Sequence, residues 1–164
     1  FFSSRRRHTR LRTVTGVQRV LFRSDYNLQL VLPLHPRTKK MLSQNLSPEL
    51  LAKTEANQLI KIIPPVSFLE MIALEKHAKI IVTDSGGVQK ESFFFKKPCI
   101  VLRPETEWIE LVENGNNILA DADELKITEA FGQLIHKTDF TYPQYYGDGH
   151  AAEFICSRLI ETFS

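Results

Sequence analysis

Cysteine is nearly missing from this chain of 164 residues. The two present, Cys99 and Cys156, are not spaced as a metal or redox pair. Cys99 sits in an apolar run, where a reduced core residue is expected. Long apolar runs are missing too, and none reaches the length a membrane span requires. These absences point to a soluble, reducing, cytoplasmic setting with no membrane partner. Acids are missing from residues 1–24, which carry seven arginines at positions 5, 6, 7, 10, 12, 19 and 23. The remainder holds 14 basic and 19 acidic residues, so it is net −5 where the whole chain is +2. A mildly acidic body gives no support for a nucleic-acid partner.

The basic stretch FFSSRRRHTRLRTVTGVQRVLFRS shows no helix or strand period that continues past residue 24. It has no apolar core segment, which excludes a secretory signal. Arg-rich, acid-poor composition also fits a transit peptide or a nucleic-acid arm. The closer resemblance is to translated sequencing-adaptor sequence joined to a truncated gene. Residues 1–24 are therefore set aside from the fold and expected to be poorly ordered. Residues 25–164 are expected to form one domain, incomplete at its N-terminal end.

Glycine is scarce, at seven residues, yet two of them are adjacent. They lie in AKIIVTDSGGVQKE, residues 78–91. Lys79 to Thr83 is short, apolar and β-branched, as in a strand covered on both faces. Asp84, Ser85, Gly86 and Gly87 break that period. Adjacent glycines permit positive φ and leave room for a ligand at the backbone. The helix after them offers unpaired N–H groups and the positive end of its dipole, which suit a phosphate. Ser85 adds a hydroxyl. Glu91, one turn on, is an acceptor for ribose hydroxyls. The competing reading is a turn that only caps itself.

The rest of the chain alternates. Leu28 to Leu34 reads as a buried strand, followed by His35 and Arg37, with Pro36 opening a short helix through Met41. Ser47-Pro48-Glu49 starts a helix to about Glu55. Leu59 to Ile63 is a strand ended by Pro64-Pro65. Ser67 and Glu70 form a capping box for a helix to about Lys76, with Phe68, Met71, Ile72 and Leu74 mostly in the core. The helix after the glycines ends near Lys96-Lys97, before Pro98. Of Phe93, Phe94 and Phe95, two are expected between layers and one against a neighbouring element. Cys99 to Leu102 is a strand, and Thr106 is a candidate N-cap with Glu107 in the first turn. Asn114-Gly115 stops that helix. Asn117 to Ala120 is a strand, Asp123 to Lys137 an amphipathic helix, and Ala151 to Phe163 a final amphipathic helix.

Such alternation implies an α/β fold, a Rossmann-like parallel sheet with helices on both faces. Right-handed crossovers bring His35, Ser85 and Arg103 to one sheet edge, where open α/β sheets bind ligands. His35 is either a cleft contact or a surface histidine. Met71 either packs in the core or lies flat on a planar base. Arg103 is either a phosphate partner or a clamp on Glu107, and Trp108 is assigned to packing.

The segments LHPRTKKML, PPVSFLEMIAL, IIVTDSGGVQKESFFFKKPCIVLRPETEWIELVENGNN and YGDGHAAEFICSRL, in this order, resemble the C-terminal half of the non-hydrolysing UDP-N-acetylglucosamine 2-epimerases. The resemblance implies one half of a glycosyltransferase-B-type fold with the UDP-sugar between two domains. It implies interconversion of UDP-GlcNAc and UDP-ManNAc by elimination and re-addition of UDP, with no cofactor and no metal. It assigns the diphosphate to Ser85, Gly86 and Gly87, the ribose to Glu91 and the uracil to Met71. It further implies a cytoplasmic enzyme of cell-envelope polysaccharide biosynthesis, in some cases a homodimer. Trp108 stands where some members carry a phosphate-binding Arg, and Arg103 is the candidate to replace that charge. The TEW form resembles a subgroup that includes epimerases of diacetamido-uronate UDP-sugars. A donor-binding half of a glycosyltransferase is a further alternative, and a stand-alone nucleotide-binding module a third. The family's catalytic carboxylates belong to its N-terminal half, so none is assigned within 25–164, and this chain by itself is expected to bind UDP weakly without turnover.

Overall fold

The computed structural model describes residues 2–3, 27–36, 38, 40, 44 and 46–163. Among these residues six short strands lie in two parallel sheets. β1 (Phe2–Ser3), β4 (Ile81–Thr83), β5 (Cys99–Val101) and β6 (Asn117–Leu119) form one in the order β1-β4-β5-β6. β2 (Leu30–Pro33) and β3 (Ile60–Ile63) form the other, and β1 packs beside β2. Registers pair Leu30 with Ile60, Ile81 with Cys99 and Cys99 with Asn117. The expectation for residues 1–24 falls outside the described residues except at Phe2–Ser3, which occupy the sheet edge beside β4.

The helices start where local chemistry places them. α1 (Pro48–Ala56) has Ser47 as N-cap, whose hydroxyl accepts from Leu50 N–H at 3.2 Å. α2 (Phe68–His77) has the complete capping box: Ser67 N–H donates to the Glu70 carboxylate at 2.7 Å, and Glu70 N–H to the Ser67 hydroxyl at 3.4 Å. α3 (Gly86–Phe94) follows β4, α4 (Ile109–Glu113) follows β5, and α5 (Glu124–His136) is capped by Asp123. α6 (Ala151–Phe163) closes the chain. Pro36, Thr38 and Lys40 are helical, as Pro36 predicts, while Arg37 and Met41 lie outside the described residues.

The strands alternate between two core faces, as a sheet covered on both sides requires. Ile80, Val82, Ile100 and Leu102 join Leu30, Leu32, Ile127, Ala130 and Leu134 on the face covered by α1 and α5. Ile81, Cys99 and Val101 join Val88 on the other, beneath Met71 and Leu74 of α2. Each fully buried aliphatic here contributes about 1.5–3 kcal/mol. Not every apolar helix residue is in the core: Phe68, expected there, and Leu125 are 69% and 74% exposed. Both lie in the first turn of their helices. Of the three phenylalanines, Phe93 is buried, Phe95 half-buried and Phe94 exposed. α3 stops at Phe94, short of Lys96-Lys97, because Lys96 takes the left-handed conformation at φ 56° and Lys97 N–H closes on the Ser92 carbonyl at 2.8 Å.

Candidate functional site

After Thr83 the chain passes through buried Asp84 and Ser85 into α3. The Thr83 hydroxyl holds Ser85 N–H at 3.1 Å, and the Ser85 carbonyl accepts from Gln89 N–H at 3.2 Å. The Ser85 hydroxyl makes no capping bond to the helix. No described residue takes up the N–H groups of Gly86, Gly87 or Val88. The first turn therefore presents backbone donors, a hydroxyl and the positive end of the helix dipole together.

The glycines act differently from the expectation. Neither has positive φ; among the described residues the glycines that do are Gly115, Gly147 and Gly149. Gly86 and Gly87 are the first helical residues, where any residue's φ is accommodated. A Cβ on Gly87 would meet only the Ser85 Oγ, at 3.8 Å. One on Gly86 would lie 3.5 Å from Glu107 Oε2 and Trp108 Nε1 and 3.8 Å from Arg103 Nη1, all ordinary contacts. Backbone strain and packing therefore require glycine at neither position. Its effect at Gly87 is to leave the space before the amides open.

Three neighbours hold the turn. Arg103 is 8% exposed, and its guanidinium donates to Glu107 through both Nη atoms, Nη1 to Oε2 at 2.7 Å and Nη2 to Oε1 at 2.8 Å. That bond, then the charges of Glu107, Glu105 and Asp84, raises its proton affinity further. The clamp reading of Arg103 is thus realised, against the side of Gly86. Trp108 Nε1 donates to the Gly86 carbonyl at 3.0 Å, so the indole ties down the turn besides packing. Thr106 is not the N-cap of α4, which begins at Ile109. Its hydroxyl instead accepts from Trp108 N–H at 3.1 Å and donates to Gln89 Oε1 at 2.6 Å, bracing the loop against α3.

The segment bearing YGDG folds back onto the same helix. Lys90 Nζ lies 4.4 Å from the Trp108 ring centroid and 4.2 Å from that of Tyr146. Tyr146 donates to Glu110 Oε1 at 2.7 Å, which holds the Glu110 carboxyl below its usual range. Tyr142, Tyr145 and Tyr146 surround Phe93 with centroids at 5.4, 5.6 and 5.9 Å.

The other candidates lie on separate elements, and His35 follows a strand of the second sheet rather than sharing the edge that carries Ser85 and Arg103. His35 is exposed, just past the end of β2, with its carbonyl accepting from Thr38 N–H at 2.8 Å. Met71 is half-buried against the core beneath α2. Glu91 is half-buried, and its carboxylate makes no hydrogen bond to a described residue. A cavity of about 720 Å³ lies elsewhere, toward the starts of β2 and β4, lined by Leu28, Leu30, Ile80 and Phe131 among others. None of the seven candidates lines it. Among the described residues no cluster of His, Cys, Asp or Glu is placed to hold a metal ion, and no helix is long and apolar enough to cross a membrane.

Sequence reasoning missed Lys90, Tyr146 and Glu75. Lys90 and Tyr146 meet only through the fold. Glu75 has a local signal, an acid one position after Leu74 on the inner side of α2. It is fully buried with neither carboxyl oxygen hydrogen-bonded to a described residue. Burial first, and the charge of Glu91 second, push its carboxyl up to about 7.

A family model described as UDP-N-acetylglucosamine 2-epimerase matches residues 4–160. A Methanococcus maripaludis protein named UDP-N-acetylglucosamine 2-epimerase homolog is 43% identical over 135 residues, covering 82% of this chain and 37% of its own length. The UDP-2,3-diacetamido-2,3-dideoxy-D-glucuronate 2-epimerase of Pseudomonas aeruginosa is also 43% identical, over 130 residues, covering 79% of this chain and 34% of its own. The Methanocaldococcus jannaschii UDP-GlcNAc 2-epimerase, solved in complex with UDP-GlcNAc and UDP, superposes with a TM-score of 0.78 at 36% identity, over 98% of this chain and 44% of that one. The chain thus spans about a third of the length of these two curated relatives.

Proposed function

Because the chain belongs to the UDP-N-acetylglucosamine 2-epimerase family, we propose that residues 25–164 are the UDP-binding C-terminal half of such an enzyme. The observation that carries this reading is the open first turn of α3. Glycine stands at Gly87 without a conformational or packing need, before amides no described residue uses. Those amides and the Ser85 hydroxyl hold the diphosphate. Glu91 accepts from the ribose hydroxyls, and Met71 lies against the uracil. Arg103, already bound to Glu107, acts on the phosphates as part of an ion pair, and His35, past the end of β2 in the second sheet, is a further polar contact for the ligand.

The complete protein inverts carbon 2 of UDP-GlcNAc by losing and regaining UDP, and needs no added cofactor. General acid–base groups must reach the reacting carbon, and the other half of the enzyme supplies them. This chain therefore binds UDP without turning over the sugar. The complete enzyme acts in the cytoplasm, in cell-envelope polysaccharide synthesis, as a homodimer. A diacetamido-uronate UDP-sugar is the second reading of the substrate. It is supported by Trp108 and by the P. aeruginosa relative, whose identity equals that of the M. maripaludis protein.

The test is a UDP titration followed by calorimetry and by the fluorescence of Trp108, the sole tryptophan of the chain. UDP is expected to change that fluorescence saturably, and Ser85→Ala, Gly87→Ala and Glu91→Ala to weaken binding. Gly87→Ala is the sharpest variant. Alanine favours a helix by roughly 0.5–1 kcal/mol over glycine, so it should keep or raise stability while losing UDP. Unaltered UDP affinity in all three variants would move the site elsewhere.

A further inference from the structure

Glu75 is a fully buried acid on α2. On that helix Met71 and Leu74, and Ala78 just past its end, pack on Ile81, Val88, Cys99 and Val101. Its side chain is fully buried, and both carboxyl oxygens lack a partner among the described residues. An unpaired carboxylate is strongly disfavoured in such a place, so the group keeps its proton to higher pH than an exposed glutamate does. α2 packs on α3, the helix that carries Glu91. The groups that act on Glu75 electrostatically are Glu91 from α3 and the Cys99 thiol from β5. Burial pushes that thiol up to about 12, so it stays neutral wherever Glu75 titrates. Glu91 therefore holds the charge that opposes ionisation of Glu75.

We propose that Glu75 is a positioning residue for Glu91: while it remains a neutral acid, Glu91 keeps an uncontested negative charge for a ligand's vicinal hydroxyls, and its ionisation weakens that hold. This inference rests on the reading of the α3 turn as a UDP site. The proton lost from Glu75 passes to water, leaving two carboxylates repelling each other across the α2–α3 contact. Glu75 is enclosed and Glu91 only half-buried, so Glu91 is the one that turns away, and with that it loses its role as an acceptor. Burying an acid where an apolar side chain would pack better makes the diol contact sensitive to pH near neutrality.

The experiment is UDP affinity by calorimetry on the 164-residue chain and its Glu75→Gln variant, between about pH 6 and about pH 8.5. Glutamine keeps the size and cannot ionise. The UDP dissociation constant of the parent chain should rise about fivefold or more across this range relative to that of the variant. The phosphate's own titration affects both alike and cancels in the comparison. Parallel pH profiles would overturn the inference and leave the UDP site standing. Absence of saturable UDP binding by the parent chain would overturn the site and the inference with it. Should Glu75→Gln fail to fold, carbon-13 carboxyl titration of the parent chain decides. Reciprocity requires UDP to raise the proton affinity of Glu75, and an unmoved titration refutes the proposal.

Discussion

Replacing Glu75 by Gln should change how the stability of this protein depends on pH. In the unfolded chain a glutamate titrates near 4.5, and in the fold burial raises Glu75 to about 7. Between those values the folded state holds a proton that the unfolded state has released, so stability falls as pH rises. The contribution is fully present below the unfolded value and is lost once pH has passed the folded one. About two and a half pH units at 1.36 kcal/mol each give a loss of about 3 kcal/mol. That is a large fraction of the 5–15 kcal/mol typical of a domain. The assay is urea unfolding, followed by Trp108 fluorescence, at about pH 4.5 and about pH 8. The parent chain should lose about 3 kcal/mol more over this interval than Glu75→Gln, since every other group titrates in both proteins. Equal losses would refute the reasoning, because they would mean that the ionised carboxylate is stabilised inside the fold.

Two further outcomes rest on single contacts. Trp108→Phe removes the bond to the Gly86 carbonyl and weakens the platform beneath Lys90; a loss of about 1–2 kcal/mol is expected, read by urea unfolding with circular dichroism, together with weaker UDP binding. Lys96→Gly relieves a left-handed residue at the end of α3 and should raise the urea midpoint by the equivalent of about 1 kcal/mol.

The candidate turn was legible because its signals are local: a short β-branched run, a serine, two glycines and a helix-forming stretch within 14 residues. What the glycines do there was not, because open space before an amide depends on what else approaches it. Likewise the sequence placed Arg103 near both the turn and Glu107, yet whether a phosphate or a carboxylate meets it depends on the shape of a loop that is not helical. The contact of Lys90 with Tyr146 joins residues 56 positions apart in the chain, and no local pattern announces it.

By itself the sequence determined the alternation of strands and helices, the caps at Ser47 and Ser67, the two-faced core strands and the family likeness. Periodicity, capping and turn chemistry act over a few residues, so they can be read along the chain. The tertiary structure alone decided which apolar faces are covered. α6 has the amphipathic pattern that the sequence predicts, yet none of its residues is buried, because a helix's own period states which face is apolar and not whether anything packs on it. It also decided that Glu75, one residue beyond Leu74, lies wholly inside the protein beside Glu91. Burial and unpaired charge are properties of what surrounds a side chain, and only the assembled fold supplies those surroundings.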